Sequence, residues 1–243
     1  MSGERGSIRS ADGGAEIRVA TYNIHGWIGS DGLCDPIRTL GLIKRLDADI
    51  VALQEVKLPI PGVYTETDSY LERYTSMHAV TGPTLLHEEG SYGNVLLSRL
   101  PVISSKRFDL SYGDREPRGA LDVDIEVGGR MLRVISTHLG LHGPERHWQV
   151  ERLEEVIERE VSSHMILMGD FNEWLFFSRA MRRMHRILHS HRSPRSFHSR
   201  FPVLPLDRIW VRPDGMLRRI RAFKEKGAKN ASDHLPVIAE LVI

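Results

Sequence analysis

One cysteine in 243 residues, Cys34, leaves this chain unable to close an internal disulfide, which fits a reducing compartment. Long apolar runs are also missing. No stretch reaches the roughly eighteen consecutive apolar residues of a spanning helix, so no transmembrane segment is expected. The opening residues Met1-Ser2-Gly3-Glu4-Arg5-Gly6 lack the apolar core of a secretory signal, so no such signal is expected, and a cytoplasmic location is the expectation. Internal repeats, a linker and an added zinc-finger or RNA-recognition module are absent too. What is present is ordinary for one globular domain: 41% hydrophobic and 27% charged residues, on a chain long enough to bury a substantial core. Residues 1–15, small, polar and glycine-rich, read as a disordered tail, and residues 16–243 as a single, monomeric domain.

An overall charge excess is lacking, since the net charge is +1, but the distribution is uneven. Residues 179–226 hold 14 Lys and Arg against 3 Asp and Glu, so the rest of the chain is acidic. That stretch would attract a polyanion, either nucleic acid or an anionic membrane surface, unless it is simply a solvated arginine-rich helix and loop. Its histidines (His185, His189, His191, His198) have no tetrahedral spacing and no cysteine beside them, so zinc is not expected.

Hydrophobic periodicity supplies the elements. Strands are expected at Ile17–Tyr22, Asp49–Leu53, Gly93–Arg99, Pro101–Asp109, Met131–Thr137, Leu206–Val211 and Pro236–Val242. Strict alternation over Glu116–Ile125 marks another, closed by a Gly128-Gly129 hairpin turn. Asp35-Pro36 starts a helix, as N-cap and first helical residue, with Ile37, Leu40, Ile43 and Leu46 as its apolar face. Further helices are expected near Thr67–Tyr74, from Gly143 to Val161 (Leu153, Val156, Ile157 and Val161 inward) and over Leu175–Leu188. The remainder of 57–90, with its prolines and glycines, reads as irregular, and Arg192–Pro205 as a basic loop. Trp27, Trp148, Trp174, Phe176 and Phe177 fit core packing for the most part, with cleft lining or membrane contact as the alternative.

The most informative stretch is Ile166-Leu167-Met168-Gly169-Asp170-Phe171-Asn172, an apolar strand ending in an acid and an amide. Continued in extended form, the chain would put Asp170 and Asn172 on one side, about 7 Å apart. A turn is the plainer reading of Gly, Asp and Asn. Yet polar residues recur at this same position. Asn23, Glu55, Asn94, His138, Asp170, Asn172, Asp207, Asp233 and His234 all fall at or near strand ends, where gathered ends make a cleft.

Thr21-Tyr22-Asn23, Leu53-Gln54-Glu55, Gly93-Asn94, Ser136-Thr137-His138-Leu139, Gly169-Asp170-Phe171-Asn172, Leu206-Asp207-Arg208-Ile209 and Ser232-Asp233-His234-Leu235-Pro236 carry a likeness. In this order, over residues 17–243, the sequence resembles the endonuclease/exonuclease/phosphatase superfamily, which includes DNase I, abasic-site endonucleases, neutral sphingomyelinases and inositol polyphosphate 5-phosphatases. The resemblance implies a DNase I-like, four-layer α/β/β/α sandwich of two mixed sheets flanked by helices. It also implies Mg²⁺-dependent hydrolysis of a phosphate ester, with Mn²⁺ able to substitute, and a phosphodiesterase is the first expectation. Glu55 would hold the metal with Asn23 beside it, Asp170 would activate the attacking water, and Asn172 and His234 would donate to phosphoryl oxygens. Asp207 would orient a catalytic histidine and raise its pKa, and Asp233 would either orient a neighbour or contribute to a metal position. His138 matches a second histidine of the DNase I and sphingomyelinase branches that the abasic-site endonucleases lack. Asn94 and Arg118 match substrate-facing positions, although an arginine beside Pro117 and Gly119 also suits a solvated hairpin. A nuclease-like enzyme is the leading expectation and a phospholipid phosphodiesterase its alternative. A non-catalytic binding protein on the same fold is more remote, because no group needed for hydrolysis is missing.

Overall fold

The computed structural model describes residues 14–62, 67–88, 90–160, 162–175, 177–188 and 193–243. Among the described residues, eleven strands and five α-helices run in the order β1 (Glu16–Asn23), α1 (Pro36–Leu46), β2 (Ile50–Leu58), α2 (Thr67–Thr75), β3 (His78–His87), β4 (Gly90–Ser98), β5 (Val102–Asp109), β6 (Gly119–Val127) and β7 (Arg130–His138). Then come α3 (Gly143–Arg159), β8 (Met165–Asp170), α4 (Arg179–Ile187), β9 (Asp207–Arg212), β10 (Leu217–Ala222), α5 (Ala228–Ala231) and β11 (Val237–Val242). They form two mixed sheets, ordered β10-β11-β1-β2-β4-β3 and β5-β6-β7-β8-β9.

Buried strands in the middle of such a sandwich split their apolar residues between two faces. Along β2, Ile50 and Ala52 face the core between the sheets, while Val51 and Leu53 face the layer packed under α1. Along β8, Ile166 and Met168 enter the inter-sheet core, and Met165 and Leu167 pack with Leu153, Val156 and Ile157 of α3. Three apolar layers therefore separate four structural layers, the α/β/β/α sandwich that the sequence implied.

The caps are as expected at α1, where the Asp35 carboxylate accepts from Arg38 N at 2.9 Å and Pro36 is the first helical residue. Its inward face uses Leu42 in place of Ile37, which is 52% exposed. The Gly128-Gly129 turn joins β6 and β7 with both glycines at positive φ, +57° and +81°, as a two-residue hairpin of this kind requires. Val161, assigned to the α3 stripe, lies outside the described residues, as do Phe176, His189 and His191.

Three expectations are corrected. Residues 78–87 form strand β3, not irregular chain. Pro83 is tolerated there because β3 is a sheet edge with a register shift between Pro83 and Leu85, so no ladder bond is lost to its missing N–H. Second, β10 is a strand that periodicity does not pick out. As the other edge it carries Arg218, Arg219 and Arg221, charges that suit an edge but mask the apolar signal. Third, Ala15 is no part of a tail. It exchanges backbone hydrogen bonds with Ile243 at 2.9 and 3.0 Å. Residues 1–13 lie outside the described residues.

Candidate active site

Strand register brings the polar residues together. In the second sheet His138, Asp170 and Asp207 are direct neighbours, because His138 pairs with Asp170 across the parallel β7–β8 ladder and Asp170 with Asp207 across β8–β9. In the first sheet Asn23 ends β1 beside Gln54 on β2, and His234 stands just before β11. The two sheet ends meet at one amide: Asn23 Nδ2 donates to Glu55 Oε1 at 2.9 Å and to Asp170 Oδ2 at 3.0 Å. Those carboxylate oxygens are thus no farther apart than the two hydrogen bonds laid end to end. Asn23 Oδ1 is held by the backbone N–H of His25 at 3.0 Å, which fixes the direction of the amide.

Local backbone geometry aims each acid. The β2–β4 register shifts between Leu53 and Val56, a bulge that places Gln54 and Glu55 opposite the single residue Asn94. Glu55 itself sits at φ +59°, a left-handed conformation unusual for glutamate, so the side chain leaves the ladder and enters the cleft. At the end of β8, Gly169 lies at φ +152°, and a Cβ there would come within 1.9 Å of the Thr137 carbonyl oxygen. Only glycine lets β7 and β8 approach so closely. Beyond it the chain turns. Asn172 is at φ +49°, and its backbone N–H donates to Asp170 Oδ1 at 2.9 Å. The extended 170–172 geometry of the sequence reading is therefore corrected to a turn that holds the Asp170 carboxylate in place.

Two imidazoles flank Asp170, with Nε2 of His138 at 3.6 Å and Nε2 of His234 at 3.7 Å from its Oδ2. Their surroundings drive them apart. Burial, Arg118 and then His234 hold His138 well below its ordinary pKa, so it is neutral. Arg118 donates to its Nδ1 at 2.9 Å, leaving its single proton on Nε2. For His234 burial also opposes the charge, but Asp207 and Asp170 outweigh it and the pKa is pushed up to about 10. Its Nδ1 lies 2.8 Å from Asp207 Oδ2. Asp170 is raised to about 6, chiefly by burial, with Asp207 adding to the rise and His234 opposing it. One neutral histidine, one imidazolium and one elevated carboxylate make a set of groups with separated titrations.

The remaining expected residues are placed as follows. Asn172 Nδ2 donates to the Leu139 carbonyl at 2.8 Å and lies 3.1 Å from His138 Nε2. Arg118 is buried, not solvated, with Nη2 donating to Glu116 at 3.1 Å. Asn94 is buried and ties the sheets together through Nδ2 to the Gly119 carbonyl at 3.1 Å. Asp233 is turned toward His25 Nδ1, at 3.7 Å, and the Ser232 hydroxyl, at 3.2 Å.

Three side chains were not picked out from sequence. Tyr92 lies against Glu55, and its phenol is raised far above the ordinary value by burial and by Glu55 and Glu116. It precedes Asn94 by two residues on β4, so period-two alternation was the available signal. Ser232 accepts from His234 N at 3.1 Å and reaches the Asn23 carbonyl at 2.8 Å, bridging the sequence motif to β1. Phe197 packs its ring 4.9 Å from that of His234. No local pattern marks it, because it arrives from the 192–205 loop.

Two groups of side chains could hold a cation. Asp170, Asp207 and His234 bring ligand atoms within 4.8 Å of one another, but the imidazolium already supplies positive charge there and its Nδ1 is committed to Asp207. Glu55 fits better. Its carboxylate is partly exposed and shares one amide with Asp170, and oxygen donors in an acid-rich pocket suit a small hard dication. The basic stretch, by contrast, is dispersed: Arg183 pairs with Glu151 and Glu154, Arg208 is buried against the Glu173 carbonyl, and the β10 arginines lie at the edge of the other sheet.

The sequence profile of the endonuclease/exonuclease/phosphatase family matches residues 20–234. Protein YbhP of Escherichia coli K12 is 29% identical over 248 residues, covering 93% of this chain and 96% of that protein. Among solved structures, an endonuclease/exonuclease/phosphatase protein from Beutenbergia cavernae superposes with a TM-score of 0.76 at 23% identity, covering 94% of this chain and 72% of that one. A mannosyl-6-phosphatase from Bacteroides thetaiotaomicron gives 0.76 at 17% identity over 93% of this chain and all of its own. TDP2 of D. rerio, complexed with a single-strand DNA product, gives 0.70 at 17% identity over 93% and 98% of the two chains. With the profile spanning both sheets and every strand end that builds the cleft, the chain belongs to the endonuclease/exonuclease/phosphatase family.

Proposed function

We propose that this protein is a Mg²⁺-dependent phosphodiesterase that hydrolyses its substrate by in-line attack of water. The observation that carries this reading is Asp170 Oδ2, which accepts from Asn23 at 3.0 Å and sits 3.6 and 3.7 Å from a neutral and a charged imidazole. Glu55 would hold the ion, with Asn23 beside it and Mn²⁺ able to substitute. When bound, such an ion neutralises phosphoryl charge and stabilises the leaving oxygen.

The chain's own groups supply the rest. Asp170, elevated by burial yet ionised above about pH 6, takes a proton from the attacking water. His234 presents a charged Nε2–H to a phosphoryl oxygen, while Asp207 at Nδ1 fixes its tautomer and orientation. Asn172 gives one amide hydrogen to Leu139 O, and the same Nδ2 faces His138 Nε2 at 3.1 Å, which keeps the amide at the cleft wall where a phosphoryl oxygen would lie. His138, pinned by Arg118, offers its Nε2 proton but cannot act as a cation.

A diester leads over a monoester because His138 matches the second histidine of the DNase I and sphingomyelinase branches, which cleave diesters. A dication on Glu55 would offset the excess of Glu55, Asp170, Asp207 and Glu116 over His234 and Arg118. Mannosyl-6-phosphatase and the DNA-product complex of TDP2 share the fold and bracket both chemistries. The test is a substrate panel of plasmid DNA, single-stranded RNA, phospholipids and a mannose monophosphate, with and without chelator, alongside Mg²⁺ titration of Glu55→Gln by calorimetry. The reading expects diester cleavage that chelation abolishes, and weakened ion binding in the variant. Preference for the monoester, or unchanged binding in Glu55→Gln, would count against it.

A further inference from the structure

Most of the exposed large apolar side chains among the described residues lie in loops that follow the site ends of the strands; Ile37 on α1, Leu86 on β3, Ile103 on β5 and Met131 at the start of β7 lie outside them. Leu141 (64% exposed) follows His138, and Trp174, Leu175 and Phe177 (49, 58 and 75%) follow Asn172. Phe201 and Val203 (81 and 60%) tip the loop whose Phe197 packs on His234.

Contacts brace these segments in pairs. Arg146 donates to the Leu141 carbonyl at 2.5 Å, pairs with Glu173 at 3.2 Å and lies 5.7 Å from the Trp174 ring centroid, bracing the two loops that bear them. On the other side, Arg200 Nε donates to Ser30 at 3.2 Å. That bond fastens the Phe201 loop to the β1–α1 loop, which exposes Leu33.

Charge accompanies the apolar rim. Next to Phe177, Arg179, Arg182 and Arg186 line a shallow groove of about 710 Å³ on α4. It lies apart from the Glu55–Asp170–His234 cluster, at the edge of the rim. The nearby acids Glu151 and Glu154 are taken up by Arg183. A surface presenting leucine, valine and aromatic side chains beside arginines that meet no carboxylate among the described residues has the chemistry of a lipid interface with anionic headgroups. Single-stranded nucleic acid could stack on Trp174, Phe177 and Phe201 but would leave the aliphatic Leu33, Leu141, Leu175 and Val203, which offer no face for a base, without a role, whereas a lipid surface takes up both kinds.

We propose that this rim docks the protein on an anionic lipid surface and holds the cleft mouth against the headgroups. As a statement about substrate this rests on the phosphodiesterase reading, with a headgroup diester as the bond attacked; as a statement about binding it stands by itself. The experiment is flotation of the full chain with phosphatidylcholine vesicles, with or without phosphatidylglycerol, for wild type, Phe177→Ser/Phe201→Ser and Arg179→Gln/Arg186→Gln. Thermal melts check folding, and turnover of soluble bis-p-nitrophenyl phosphate checks the cleft. The wild type should bind anionic vesicles at least about tenfold more tightly than neutral ones. The aromatic pair should lose about tenfold or more in binding, and the arginine pair should lose the anionic preference, with melts and soluble turnover unchanged. Absence of wild-type binding, or full binding by the aromatic pair, would overturn the proposal. So would a thymidine oligonucleotide that displaces the vesicles and itself binds through Phe177 and Phe201. Vesicle binding that behaves as expected without any turnover would leave the docking surface standing and remove the phosphodiesterase reading.

Discussion

At the scale of single residues, His234 and Asp207 make the sharpest statement. An imidazole at neutral pH is ordinarily divided between its two forms, but here the aspartate at 2.8 Å and Asp170 at 3.7 Å overcome the burial penalty. Because the folded pKa, about 10, is raised above the ordinary 6.5, the pair's stabilisation is complete below pH 6.5 and is lost as pH rises toward about 10. Asp207→Asn removes the main opposing charge, so burial then dominates. NMR titration of the metal-free variant should show His234 losing its proton several pH units earlier, with stability no longer falling across that alkaline window. A titration unchanged by the substitution would assign the shift elsewhere. Asp170→Asn preserves the shape of the turn that Asn172 makes onto Asp170 but removes the base. Steady-state kinetics should therefore show kcat/KM reduced by about 10²–10⁴ with the melting temperature little changed.

Elements position these groups through features that differ in how well a sequence displays them. Gly169 is required because any Cβ would strike the Thr137 carbonyl. Gly169→Ala should push β7 and β8 apart, lowering stability by more than about 2 kcal/mol in denaturant titration. Arg133 fixes α3 over the second sheet. Its guanidinium makes paired contacts to Asp122 at 2.9 and 2.6 Å and donates to the carbonyls of Val156, Ile157 and Glu160 near the helix end. Truncation to alanine would strand a buried carboxylate and several carbonyls, costing about 3–5 kcal/mol in chemical denaturation. Buried strands such as β2 and β8 were legible because both their faces are apolar, and α1 because its cap and proline are local chemistry. Edge strands were not: β3 contains proline and β10 is half arginine, tolerated because no strand among the described residues pairs with their outer sides. Nor was the turn at Asn172 visible as a turn that also builds the site, since its meaning depends on His138 and Leu139 reaching it from another strand.

At the scale of the whole molecule, two sheets that share no strand are joined at the point where chemistry is concentrated. Asn23 links Glu55 of the first sheet to Asp170 of the second, and Ser232 links the His234 segment back to Asn23. The motifs therefore named residues that the fold gathers at this junction, while their mutual distances required the fold. Around that junction the loops present an apolar and basic rim, so the same sandwich ends supply both the cleft and its approach. No helix among the described residues is long and apolar enough to cross a membrane. The central claim is that Glu55, Asp170 and His234 form one metal-assisted hydrolytic centre. Turnover of bis-p-nitrophenyl phosphate by wild type, Asp170→Ala and His234→Ala, each with Mg²⁺ and with chelator, tests it most directly. The account predicts wild-type turnover that chelation abolishes and Mg²⁺ restores, and a loss of about 10² or more in each variant. Turnover that persists in chelator, or in both variants, would contradict it.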